Sequence, residues 1–183
     1  MRDVNQVLEF WLAPANRSLW FKKVPAFDEE IRRRFEPLHE RAAEGRLAQW
    51  QNTPEGSLAL VICLDQFPRN MYRGTPRAFA TDEKARLVAD WAVDRGFDMK
   101  IEDEQVRFFL YLPFEHSENI DDQHRCIELV RRGCPGDPEI MRYALMHREV
   151  IAKYGRFPHR NAILGRRNTP EEDEYLKQPG AGF

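Results

Sequence analysis

Apolar residues recur along this chain at helical spacing and nowhere alternate with polar ones over the length of a strand. Val4, Val7, Leu8 and Trp11 fall on one face of a 3.6-residue period, with Asp3 placed to cap the helix and Pro14 to end it. Phe27, Ile31, Phe35, Leu38 and Ala42 line up in the same way behind Asp28, with Gly45 closing the helix and Pro37 predicting a bend. The run Leu58 to Leu64 is apolar on every side, so the helix from Thr53 to about Gln66 is expected to pass through the centre. A second central helix is expected from Ile140 to Tyr154, with Ile140, Ala144, His147, Ile151 and Tyr154 on its inner stripe.

One device marks many of the boundaries: a capping residue followed by proline at the first helical position, where the missing N–H costs nothing. Thr53-Pro54, Thr75-Pro76, Asp137-Pro138 and Thr169-Pro170 all carry it, and Glu172 completes a capping box in the last. Between them Asp82 opens a helix closed by Gly96, Glu104 opens a segment stopped by Pro113, and Ser117 caps a helix closed by Gly133. The expected fold class is therefore all-α, a non-repetitive stack of helical hairpins with antiparallel neighbours. Residues 1–183 read as one domain, with 178–183 a frayed tail.

Composition narrows the function classes. With 32% charged residues, 42% hydrophobic residues and a net charge of -2, neither disorder nor a bulk electrostatic grip on nucleic acid is expected. The most apolar uncharged stretch, Gly56 to Leu64, is far shorter than the ~20 residues a membrane span needs. The N-terminal residues lack a basic region followed by an apolar run, so a cytoplasmic protein is expected. Cys63, Cys126 and Cys134 are odd in number and in no CxxC spacing, and read as buried thiols. No phosphate-binding loop, dinucleotide fingerprint, serine-hydrolase elbow or zincin motif is present, and no cofactor is expected.

Three polar clusters stand out. Asp65 follows the central helix at the negative end of its dipole, so a cation should compensate it; Gln66, Arg69, Asn70 and Arg73 follow at once. The segment is either a structural ion pair or a ligand cradle. Arg156, Phe157, Pro158, His159, Arg160 and Asn161 repeat the aromatic-proline-polar pattern after another helix end. Behind the apolar run Phe108 to Leu112, the turn at Glu115 and His116 offers an acid and an imidazole without a capping role. His116 and His124 would stand about 12 Å apart along a helix, too far to share a metal, and no metal site is expected. His147 faces inward either as a satisfied core residue or as part of a site. His39 and His124 read as surface residues.

The strings Leu64-Asp65-Gln66-Phe67-Pro68-Arg69-Asn70, Arg73-Gly74-Thr75-Pro76, Leu112-Pro113-Phe114-Glu115-His116-Ser117-Glu118 and Gly155-Arg156-Phe157-Pro158-His159-Arg160-Asn161 resemble those of the bacterial domain-of-unknown-function 924 family. The resemblance implies a tetratricopeptide-like right-handed superhelix without regular repeats, and no activity. All three clusters lie in these strings and are expected to converge on one cleft. Glu115, His116 and His159 are the candidate proton-transfer residues. Asp65, Gln66, Arg69, Asn70, Arg73, His147, Arg156, Arg160 and Asn161 are the candidate ligand-binding residues. The partner is expected to be a small anionic ligand, or alternatively a peptide or protein terminus held on a concave helical face. Neither nucleic acid nor a membrane is expected.

Overall fold

Proline in the first turn sets many of the helix starts. The computed structural model describes residues 2–182, which contain no strand. In chain order the α-helices are α1 (Arg2–Trp11), α2 (Pro14–Arg17), α3 (Pro25–Ala43), α4 (Pro54–Val61), α5 (Phe67–Met71), α6 (Asp82–Asp94), α7 (Glu104–Arg107), α8 (Leu112–Glu115), α9 (Ile120–Gly133), α10 (Pro138–Tyr154) and α11 (Pro170–Leu176). At α4 the Thr53 hydroxyl accepts the Gly56 N–H at 3.1 Å, and at α10 the Asp137 carboxylate accepts that of Glu139 at 3.1 Å. The Thr169–Glu172 capping box closes in both directions at α11. Gly155 ends α10 in the left-handed conformation, φ 67°, that a residue with a Cβ resists.

Several boundaries differ from the sequence expectation. α3 begins at Pro25, with Val24 as its N-cap, and this releases Asp28 to pair with Arg73. Pro113 does not stop its segment: after the 3-10 turn Phe108–Leu110 it sits in the first turn of α8, where its missing N–H is harmless. α9 is capped by Asn119, whose side chain accepts the Asp121 N–H at 2.9 Å, while the Ser117 hydroxyl donates to Asp122. Gly133 is the last helical residue of α9, and there a Cβ would collide with the Tyr111 ring, whose hydroxyl donates to Asp98 at 2.7 Å.

Every residue of α4 from Gly56 onward is buried, and so is the continuation Ile62–Gln66, so this helix forms the axis of the core. Around it pack α1, α3, α5 and α6, with Trp11 enclosed by Trp20, Phe27, Phe67 and Phe109. α10 is not central: only one stripe, including Ile140, Ala144, His147 and Ile151, is buried, chiefly against α9. His39 is also not at the surface; it is buried on α3, and its Nδ1–H donates to the Cys63 carbonyl at 2.9 Å. The three cysteines are free and buried. No helix among the described residues is long and apolar enough to cross a membrane.

Candidate functional site

The site begins with a proline in a helix. A regular α-helix would give the Leu64 carbonyl to the N–H of residue 68, but Pro68 has none. The helix widens into a π turn over Ile62–Gln66, in which the Phe67 N–H reaches back to Ile62. The released Leu64 carbonyl accepts the Thr81 hydroxyl at 2.5 Å. The chain thus continues past residue 66 into α5 instead of ending there, and the π turn holds Asp65 and Gln66 in the protein interior.

Asp65 is fully buried and multiply satisfied. Its Oδ1 lies 2.8 Å from His116 Nδ1 and 3.0 Å from Arg69 Nη1, and Gln66 donates to its other oxygen. Burial alone would raise its pKa, but the Arg69 guanidinium and then His116 outweigh that and hold it at about 2. Arg69 forks onto both oxygens of Asp82 at 2.8 and 3.0 Å, and Arg160, between the rings of Phe79 and Phe157, reaches Asp82 at 3.5 Å. Two carboxylates therefore neutralise two inward arginines.

His116 is neutral, its pKa lowered by burial and by Arg69 against the opposing pull of Asp65. Since the Asp65 carboxylate accepts at Nδ1, the lone pair of the neutral ring resides on Nε2. The neighbouring Glu115 has the opposite fate to Asp65. With its side chain 4% exposed and no cation bound to it, burial and then the charge of Asp65 push its pKa up to about 8. Its Oε1 lies 3.5 Å from His147 Nδ1, which donates to the Tyr143 carbonyl at 2.9 Å, and its Oε2 has no hydrogen-bond partner among the described residues. Burial holds His147 neutral, its pKa down at about 3.

These groups face a cleft of about 520 Å³. Gln66, Arg69, Asn70 and Arg73 from α5 and its flanks, Glu115 and His116 from the end of α8, and His147 from α10 make one polar wall, and Arg17, Lys22, Gln105, Asp137 and Glu139 complete the polar lining. Trp20, Phe108, Leu112 and Ile140 make an apolar one, with Phe21 and Tyr143 exposed at the mouth. Arg73 and Asn70 are both tied to Asp28, Arg73 through two contacts of 3.0 Å and Asn70 at 2.7 Å.

The third cluster does not join this wall. Arg156 forks onto Glu172 at 2.6 and 2.7 Å, and Asn161 donates to the same carboxylate at 3.2 Å. His159 lines no part of the cleft; it lies beside Gly182, and burial draws its pKa down to about 4. Arg160 connects back through Asp82, and the Phe157 ring meets the His147 ring edge-on at 5.6 Å. Glu118 likewise is a tie, accepting the Phe157 N–H at 2.7 Å and pairing with Arg166 at 2.6 Å. Sequence reasoning missed Asp82, read as a helix opener, and the aromatic wall; the adjacent Trp20 and Phe21 between helices were its visible trace. Among the described residues, no group of three or more His, Cys, Asp or Glu side chains is set to hold a metal ion.

No curated protein matches the chain. A solved structure of a protein of unknown function from Agrobacterium tumefaciens, ATU0120, is similar to it at 43% identity and a TM-score of 0.90, over 96% of this chain and 97% of that one. The model of the family described as bacterial protein of unknown function (DUF924) matches residues 7–180. On that match, spanning both walls of the cleft, the chain belongs to the DUF924 family.

Proposed function

We propose that the cleft binds a small anionic metabolite and moves a proton on it, with His116 as base and Glu115 as acid. The observation that carries this reading is Glu115: a buried carboxyl with one oxygen unpartnered among the described residues, its pKa pushed up to about 8 by burial and by Asp65, next in sequence to a histidine oriented by a carboxylate. Folding leaves such a group unsatisfied at a cost of ~1–3 kcal/mol, which a ligand acceptor removes. Because Arg69 and Arg160 already neutralise the inward Asp65 and Asp82, the anion falls to Lys22, which makes no ion pair among the described residues, and to the more exposed Arg73, which would share its guanidinium between the ligand and Asp28. A cytoplasmic setting belongs to this reading, since the three thiols are free.

A second reading, a tetratricopeptide-like module taking a peptide or protein terminus, draws on the exposed rings of Phe21 and Tyr143 at the mouth. Thermal unfolding against a panel of carboxylates and phosphates separates the two. A ligand at 100 times its Kd stabilises by ~2.7 kcal/mol, and Arg73→Ala should diminish the shift. A flat response to the whole panel, with a shift from short peptides instead, would replace the first reading by the second.

A further inference from the structure

The chemistry open to the cleft is narrowed by its own lining. Glu115 offers an O–H donor whose Oε2 has no acceptor among the described residues, and His116 offers Nε2 as an acceptor because Asp65 occupies Nδ1. A neutral donor and a neutral base on consecutive residues match a carbonyl oxygen and the hydrogen on the next carbon, atoms only a few bonds apart. No serine, threonine or cysteine lines the cleft; its one hydroxyl is the phenol of Tyr143, which is exposed at the mouth. The opposite wall of Trp20, Phe108, Leu112 and Ile140 calls for an apolar body on the ligand, and Arg73 with Lys22 for a carboxylate.

We infer that the substrate is a 2-oxo acid with an apolar side chain and that the cleft catalyses its enolisation; this rests on the proton-moving reading above. His116 Nε2 takes a proton from the carbon beside the ketone, and the C–H electron pair becomes the C=C bond. The carbonyl π pair moves to oxygen, which takes the proton of Glu115. Enol, imidazolium and carboxylate result, nothing is oxidised or reduced, and passage of the imidazolium proton back to Glu115 through solvent resets the site.

Phenylpyruvate in D2O tests this, with loss of its benzylic proton signal in NMR as the readout. Benzoylformate, which has no hydrogen on the carbon beside its ketone, serves as the binding probe in thermal unfolding. The wild-type protein should accelerate exchange by ~100-fold or more over buffer. Glu115→Gln and His116→Asn should fall back toward the buffer rate while benzoylformate still raises their Tm. The asparagine keeps a donor facing Asp65; if that variant does not fold, Glu115→Gln alone decides. If benzoylformate stabilises the wild-type protein but exchange stays at the buffer rate, enolisation is wrong and the ligand site stands. Equal acceleration by wild type and Glu115→Gln overturns the residue assignment, and with it the inference. No shift with either compound and no exchange removes both this inference and the reading beneath it.

Discussion

Asp65 and Glu115 are two buried carboxyls, one bonded to the His116 ring and the other next to His116 in sequence, and their surroundings separate them by several pKa units. Arg69 lies within 3.0 Å of Asp65 and keeps it charged, whereas Glu115 has burial and a neighbouring negative charge, both of which favour its protonated form. The folded protein therefore holds a proton on Glu115 that the unfolded chain releases above its ordinary value of 4.5. The stability this group contributes is complete below pH 4.5 and is lost as pH rises through about 8. His147 and His159, with pKa values drawn down to about 3 and about 4, act in the other direction: their contribution is present above pH 6.5 and lost on acidification. Since the opposing histidines mask Glu115 in the wild type, the difference between Glu115→Gln and wild type isolates it. Between pH 5 and 8 that difference should move in favour of the variant by about 1.4 kcal/mol per pH unit, read from denaturant unfolding at each pH. A difference independent of pH would show that Glu115 ionises normally. Of this arrangement, the sequence exposes the turn that brings acid and imidazole together. It does not expose the pKa split, because that depends on Asp65 and Arg69, some fifty residues away in the chain.

At the scale of elements, what is readable is what is local. Thr53-Pro54, Asp137-Pro138 and Thr169-Pro170 mark their helices correctly because cap, proline and first-turn acceptor are all within a few residues. Asp28 and Ser117 mislead as helix starts because each has a partner outside its own cap, Arg73 across the fold and Asp122 inside the next helix. The π turn is hidden for the same reason: Pro68 forbids one hydrogen bond, but only Thr81, at the foot of α6, supplies the replacement. Thr81→Val should strand the buried Leu64 carbonyl and cost ~1–3 kcal/mol. Thr75→Val, which removes a similar hydroxyl-to-carbonyl bond at an exposed position, should stay within about 0.5 kcal/mol. Equal costs in denaturant unfolding would mean that Thr81 does not support the turn.

Across the whole molecule, two of the charge clusters act as clasps with different tasks. Asp82, held by Arg69 and Arg160, joins the base of α6 to the cleft wall and to the segment after α10. Glu172, gripped by Arg156 and Asn161, fastens α11, and Arg166 on Glu118 secures the turn between them. The two loops share an aromatic-proline-polar pattern, so the sequence presents them as equals; the fold gives one to the cleft and the other to the C-terminal clasp. Arg156 forks onto a carboxylate that its hydrogen bonds keep charged, with a pKa near 2, so Arg156→Ala leaves a buried anion poorly compensated. The variant should unfold several degrees below wild type. Its further rise in Tm on adding benzoylformate should match that of the wild-type protein, because no atom of Arg156 or Asn161 lines the cleft. Arg73→Ala should show the converse, a Tm lowered less than by Arg156→Ala and a reduced rise with ligand, because the Arg73 side chain is 37% exposed and Asn70 still donates to Asp28. Should Arg156→Ala abolish the ligand response while the protein remains folded, the C-terminal clasp would have to be counted as part of the binding site.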